Sequence, residues 1–398
     1  MLKWLTISIL PFAVILGQNI PLIGLGGRFL RVGFTEIVLV VILLGLLVKT
    51  MVSGHAKFKV DRSVLLIGLL FNLTLLFSAI NFLFIQKYFN LAATVVAIIL
   101  AFEYFTIFIL TYHMVTRTED LKSILKGLNL FAIANLGAII YQTLTFNFND
   151  SRTYGLFVSS GGAANSNPNI VGLFTAGCSM FYLAYFYETK GIKRFGIGVL
   201  AALSVAATFF TLSRSALLGL VLGGAYFCYV TRRWYLPIVG IIIAIPVVLK
   251  TQMLLTRLIE TFFLKQGSVS SGGITTRFEL WTISITNSIS HPFGHGIGSA
   301  YIIDNQFFQL LFDAGIFAPV LLIILLVIIW KKAKLRQRIA TAGEWRPFLI
   351  AYQASFFVLL AGMMASSVFQ SARILGLFWI LTAVMLKGLW IKKNSSES

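Results

Sequence analysis

The sequence predicts an all-α fold: a polytopic helical bundle of about twelve transmembrane helices, with one long external loop containing short helices. Three observations predict it. Of the 398 residues, 58% are hydrophobic and only 11% are charged, about half the charged fraction of ordinary soluble domains. The mean hydropathy is +0.90. The apolar residues fall in runs near the roughly 20 residues that cross a bilayer as a helix, too long for the alternating strands of a barrel. A soluble globular enzyme and a disordered chain are both excluded. The net charge of +19 invites a nucleic-acid reading. The charges punctuate apolar runs and build no basic face, so no nucleic acid is expected as a partner.

In chain order the spans fall at 4–25, 34–50, 63–82, 90–113, 127–146, 169–187, 195–212, 216–231, 235–250, 305–330, 347–368 and 374–391. The first begins behind Lys3 and ends in Gly24-Leu25-Gly26-Gly27. Its length, and the lack of a small-x-small site, make it a span rather than a signal peptide. Cys178 and Cys228 both lie in apolar stretches, so no disulfide framework is expected. No internal repeat and no inverted pair of halves is visible, which argues against a solenoid and against a repeat-built transporter.

Sidedness follows from Lys and Arg in the loops. With the N-terminus in the cytoplasm, the inner segments hold 22 of the 32 Lys and Arg, among them Lys57, Lys122, Lys126, Lys190, Arg233, Lys332, Arg336 and Lys392. Both termini are then cytoplasmic and residues 1–398 form a single transmembrane domain. Residues 251–304 form the external helical loop between the ninth and tenth spans. The outer face keeps Lys87, Lys250 and Lys265, but seven arginines: Arg28, Arg31, Arg152, Arg214, Arg257, Arg277 and Arg373. Topology needs only positive charge. A bias to Arg fits a second demand, because a guanidinium fork binds phosphate through two hydrogen bonds.

The long loop begins with an amphipathic stretch, Gln252 to Lys265, read as a helix on the membrane surface. A Gly/Ser linker follows, then a second helix from Arg277 to Ser290, stopped by His291-Pro292. The turn Phe293-Gly294-His295-Gly296-Ile297-Gly298 is glycine-rich enough to approach a phosphate. The loop mixes Arg277, Glu279, His291, His295 and Asp304, as an enzyme acting at the membrane face would require. A loop that merely covers the bundle is the alternative. Arg214, in Ser213-Arg214-Ser215, stands between two spans of barely sufficient length, at or just below the surface. A snorkelling anchor is its bland reading. Arg152 lies beside Asp150, which pairs with it in the simplest case. Asp304 opens the tenth span as a candidate N-cap and as a candidate general base, with Asn305 next to it. Glu36 and Glu103 are the acids within spans, and Glu103 is the residue that argues for a transporter. The sequence has no metal-ligand cluster, P-loop or nucleophile elbow, so neither a metal nor another cofactor is expected.

Three stretches resemble the O-antigen ligase and polymerase superfamily of envelope glycosyltransferases. They are Arg152-Thr153-Tyr154-Gly155-Leu156-Phe157 with Asn167-Pro168-Asn169, then Ser213-Arg214-Ser215-Ala216-Leu217-Leu218-Gly219, then Arg277 to Trp281 continuing through Pro292–Gly298 to Asp304-Asn305 and Asp313-Ala314-Gly315. The likeness covers about residues 127–330. Where the ligases usually show a His, ten intervening residues and then the final Gly, this chain has Asp304, ten residues and Gly315, which is closer to polymerases of the Wzy type.

The resemblance implies a donor glycan on undecaprenyl diphosphate, an acceptor carried on the same lipid, and a bilayer as host. It also implies a site on the periplasmic face of a bacterial inner membrane, with a flippase and a chain-length regulator as pathway neighbours. Arg214 and Arg277, then Arg152 and Arg257, would steady the leaving diphosphate. Glu279 and Asn305 would line the substrate site. Asp304, or His295 as its rival, would deprotonate the acceptor hydroxyl. A ligase acting on lipid A-core differs only in acceptor. A transporter or flippase relying on Glu103, and a non-catalytic scaffold, are the readings from other classes.

Overall fold

The computed structural model describes residues 19–25, 28–33, 61–85, 91–145, 153, 155–156, 168–235, 274–296, 303–340, 345–368 and 372–395. They form a two-stranded hairpin, β1 (Asn19–Leu25) and β2 (Arg28–Gly33), followed by helices. The helices are α1 (Arg62–Ile85), α2 (Leu91–Met114), α3 (Thr118–Thr145), α4 (Pro168–Glu188), α5 (Ile192–Phe210) and α6 (Arg214–Thr231), then α7 (Ile274–Ser290), α8 (Gln306–Ala314), α9 (Phe317–Ile339), α10 (Trp345–Ala365) and α11 (Ala372–Ser395). Among the described residues, stretches of α1, α3, α4, α5, α6 and α10 are long and apolar enough to cross a membrane.

Lipid is as apolar as these helices, so burial of hydrocarbon contributes little to their association, and close packing decides it. Of these six stretches α10 is the most enclosed: 67% of its apolar window is buried, against 28% for α5. α6 reaches α10 through Gly219 and Gly223, a small-xxx-small pair. A Cβ at Gly223 would stand 2.8 Å from the Ala354 carbonyl. Further along, the Tyr226 hydroxyl donates to Gln353 Oε1 at 2.5 Å. Residue numbers rise on α6 as they fall on α10, so the two run antiparallel. α4 also opposes α10, since Leu173 meets Gly362 and Gly172 meets Thr211, Ser213 and Ala216.

These contacts gather the start of α4, the α5–α6 turn, the end of α10 and the start of α11 at one end of the bundle. The opposite end holds the Lys332–Asp61 pair, Arg336 on the Met385 carbonyl, and Lys387 over the Tyr112 ring. Lys332, Arg336 and Lys387, three of the residues assigned to the inner side by the sequence, thus share one end of the bundle.

Three expectations are corrected. Residues 19–25, expected as the end of a helical span, form a strand paired antiparallel with 28–33, Leu25 opposite Arg28. β-branched Ile20, Ile23 and Val32 suit strands, Pro21 and Gly24 disfavour a helix interior, and Gly26-Gly27 suits a tight hairpin connection. The tenth span, expected as one helix over 305–330, is broken into α8 and α9 at Gly315. There φ is +72° and the glycine lies against the backbone of Pro292. A side chain would not fit, and the positive φ ends α8 as a glycine stop. α3 begins at Thr118, ahead of the expected 127, because the Asp120 carboxylate takes the N–H groups of Thr116 and Arg117 and starts the helix outside the apolar run. The spans expected at 4–25 before residue 19, at 34–50 and at 235–250 lie wholly or almost wholly outside the described residues.

Candidate site at the α7–α8 end of the bundle

α8 is short and lies across one end of the bundle. Its start is tied to the end of α10, where Asn305 Nδ2 donates to the Met364 carbonyl at 2.9 Å. Its finish is tied to α1, where Ser78 Oγ donates to the Asp313 carbonyl at 2.5 Å. α8 carries a polar face that the sequence analysis passed over. Gln306, Gln309 and Asp313 are all buried and share one side at helical spacing. Gln309 Nε2 donates to Asp313 Oδ2 at 2.9 Å, and Gln309 Oε1 accepts the Ile303 N–H at 2.7 Å. The signal was present: polar residues at i, i+3 and i+7 inside a supposed span mark a helix that faces polar groups.

The N-cap of α8 is Asn305, not Asp304. Asn305 Oδ1 accepts from the N–H groups of Phe307 (2.9 Å) and Phe308 (3.3 Å). This frees the Asp304 carboxylate, which pairs with Arg277 on α7, Nη2 to Oδ2 at 3.1 Å. Arg277, Trp281 and Ser284 share the inward face of α7, where Ser284 is fully buried. Trp281 stacks on Phe308 of α8, with centroids 5.0 Å apart and planes at 15°. This stack holds the two helices in register and sets Arg277 beside Asp304. Arg277 Nε and Trp281 Nε1 are buried donors with no hydrogen-bond partner among the described residues. Buried donors ordinarily find acceptors. Glu279 is exposed on the other side of α7 and is not brought to this cluster.

Residues 293–296 of the glycine-rich turn do a different job from the one expected, and Ile297 and Gly298 lie outside the described residues. His295 N–H donates to the Phe312 carbonyl at 2.9 Å, and Gly296 N–H to the Asp313 carbonyl at 2.8 Å. Gly294 N–H closes the turn on the His291 carbonyl, and Ile316 N–H returns to Pro292. These amides cap the C-terminus of α8 and are not turned toward a phosphate. Gly294 has φ +78°, and a Cβ there would strike the Asp313 carbonyl. The turn is a clasp.

His295 belongs to that clasp. Its ring stacks on Phe312 (4.7 Å) and lies 4.3 Å from the His291 ring. Burial, and then the His291 charge, hold its pKa below the ordinary imidazole value. Asp304 stands at the opposite end of α8, about 14 Å away at 1.5 Å per residue. The two candidate bases are thus separated, and only Asp304 shares a site with an arginine in the structure described.

Arg214 is the exposed first residue of α6. Ser213 caps the helix, its Oγ accepting the Ala216 N–H at 3.3 Å. Leu212 just before it has φ +51°, a left-handed conformation that costs a branched residue of order 1–3 kcal/mol. A cation at a helix N-terminus also opposes the macrodipole. Both costs fall at a buried turn where Thr211 and Ser213 are fully enclosed. Arg373, in the first turn of α11, is half-buried at the same end of the bundle. Arg152 and Arg257 lie outside the described residues, as does the surface helix expected over 252–265. Next to Arg152, Gly155 is fastened to α3, its N–H on Gln142 Oε1 at 2.8 Å. Glu103, the transporter candidate, is buried midway along α2.

No curated protein matches the chain. A family model described as O-antigen ligase matches residues 199–323, a stretch that takes in Arg214, Arg277, Asp304 and Gly315. This match, on the segment that builds the α7–α8 site, supports the resemblance to the O-antigen ligase and polymerase superfamily.

Proposed function

We propose that the chain is a glycosyltransferase that polymerises undecaprenyl-diphosphate-linked repeat units of O-antigen or another surface polysaccharide. It works at the outer leaflet of a bacterial inner membrane, with both termini in the cytoplasm. One observation carries the reading. Asn305 takes over the capping of α8, which leaves a half-exposed carboxylate, Asp304, beside Arg277 and two unsatisfied donors. A lone structural aspartate would have capped its helix.

The chemistry follows from charge. The acceptor hydroxyl attacks the anomeric carbon of the donor, the bond to the diphosphate breaks, and negative charge grows on the leaving group. Arg277, with Arg214 from the α5–α6 turn, neutralises that charge without a metal. As the diphosphate draws Arg277 toward it, Asp304 is released to accept the hydroxyl proton. Direct displacement inverts the anomeric centre. The energy resides in the diphosphate bond. The ligase reading is favoured by the description of the matching family model; Asp304, where ligases usually have His, favours the polymerase.

The test is genetic. The gene is deleted in its host and restored as wild type, Arg214→Ala or Asp304→Asn, and surface polysaccharide is run on a gel. Loss of the long ladder with a single repeat still attached supports polymerisation. Loss of all attached glycan, with polymer left on undecaprenyl diphosphate, supports ligation. An unchanged ladder rejects both, and transport is then tested through Glu103.

A further inference from the structure

A cavity lies away from this site, between α3, α4, α5, α10 and α11. It has a volume of about 450 Å³. Its walls are almost wholly hydrocarbon, with Leu173, Phe181, Leu200, Leu359 and Phe378 among them. Its polar side chains bond one another or the backbone. The Tyr182 hydroxyl donates to Asn129 at 2.7 Å, Ser355 to the Gly177 carbonyl at 3.2 Å, and Tyr352 is bonded to Thr382 at 2.9 Å. Nothing in the walls calls for a polar guest.

Charge enters at one end only. Lys122 and Lys126 are the charged residues of the lining. They stand four apart on α3, hence on one face, and both are exposed. Exposed Lys190, Lys193 and Arg194 lie at the same end of the bundle. Among the described residues the acids at that end are Asp61, Glu119, Asp120 and Glu188, of which Asp61 pairs with Lys332 and Asp120 accepts the N–H groups of Thr116 and Arg117. Along α4 the lining runs from Leu173 to Tyr185, about 18 Å at 1.5 Å per residue. One leaflet offers about 15 Å of hydrocarbon. The groove is therefore one leaflet deep, greasy throughout, and cationic at its mouth.

We propose that this groove holds one acyl chain of an anionic phospholipid whose phosphate rests against Lys122 and Lys126, at the end of the bundle opposite the α7–α8 site. The inference needs the helices to span a bilayer. It does not need the glycosyl-transfer reading, and its test leaves that reading untouched.

The full-length protein is placed in nanodiscs of equal phosphatidylglycerol and phosphatidylcholine, released into detergent, and weighed by native mass spectrometry. The wild type should keep one phosphatidylglycerol. The double variant Lys122→Gln/Lys126→Gln should lose the preference, since each cation near an anionic lipid contributes roughly fivefold in affinity. Gly177→Leu should expel the lipid altogether. A Cβ at Gly177 meets only Ser355 Oγ, at 3.9 Å, so the larger side chain enters the groove without striking backbone. If that variant fails to fold, the wild type decides alone. Cys178 lines the groove and Cys228 does not, so labelling of Cys178 by a membrane-soluble maleimide should slow in phosphatidylglycerol nanodiscs relative to phosphatidylcholine, with Cys228 as internal reference. Equal retention of the two lipids, retention of a polyprenyl phosphate in their place, or equal labelling of Cys178 overturns the proposal.

Discussion

Asp61 and Asp304 each precede a helix, and each pairs with a cation. Asp61 Oδ2 accepts from Lys332 at 2.7 Å while its Oδ1 accepts the Val64 N–H at 3.3 Å, so the residue caps α1 and ties it to α9. Its side chain is 17% exposed. Asp304 pairs with Arg277 at 3.1 Å with 45% of its side chain exposed, and the cap of α8 is left to Asn305. The same residue type just ahead of a helix is structural at one end of the bundle and available at the other. The difference is made by one neighbour. An Asn follows Asp304, whereas nothing relieves Asp61.

The comparison breaks most sharply under substitution of the two aspartates. Asp304→Asn should lower transfer on the order of 10²- to 10⁴-fold, the usual share of a general base, with the unfolding midpoint in detergent unchanged. Asp61→Asn should do the reverse, lowering the midpoint and sparing the ladder. A normal ladder from Asp304→Asn would place the base elsewhere. Next in size, Arg214→Ala should cost on the order of 10²-fold, as for the loss of one preorganised donor. Arg214→Lys should be nearly as poor, because an ammonium does not grip two oxygens in a fork; full activity in the Lys variant would remove the diphosphate role.

The smaller effects concern the supports. Gly315→Ala forces a side chain into φ +72° against Pro292, and should destabilise by more than about 1 kcal/mol. Asn305→Ala should cost about 1 kcal/mol through the lost cap, visible as a lower melting midpoint in detergent. If it leaves the midpoint unmoved, Asp304 has taken over the cap and the contrast with Asp61 dissolves. Smallest is a pH effect at His295. Burial and His291 depress its pKa below 6.5, so the unfolded chain takes up a proton there before the folded one does. Stability from this group is full above pH 6.5 and is lost as pH falls through the depressed value. His295→Phe keeps the stack on Phe312 and should flatten the midpoint in that window. An unaltered pH profile would remove His295 from the balance.

Much of this was legible in the sequence, and what was not has identifiable causes. The helices α1, α2, α4, α5, α6, α10 and α11 lie within a few residues of their expected bounds, because an apolar run of bilayer length has few other ways to satisfy its backbone. Arg214 fell at the edge of α6 as expected, since Ser213 is a clear N-cap. The tenth span was misread because α8 is apolar on one side, and the break at Gly315 is set by a distant partner, the backbone of Pro292. The glycine-rich turn was misread for a similar reason. Its N–H groups looked free because their acceptors, Phe312 and Asp313, lie across the fold.

Composition and the spacing of apolar runs thus pointed to a helical membrane protein, to the bounds of seven of its helices, and to the arginines and the aspartate worth examining, because those properties are local to the chain. Which of Asp304 and His295 joins Arg277 was decided only when α7 and α8 packed through Trp281 and Phe308. That packing carried one candidate base into a cation's reach and left the other at the far end of a short helix, where it serves the clasp.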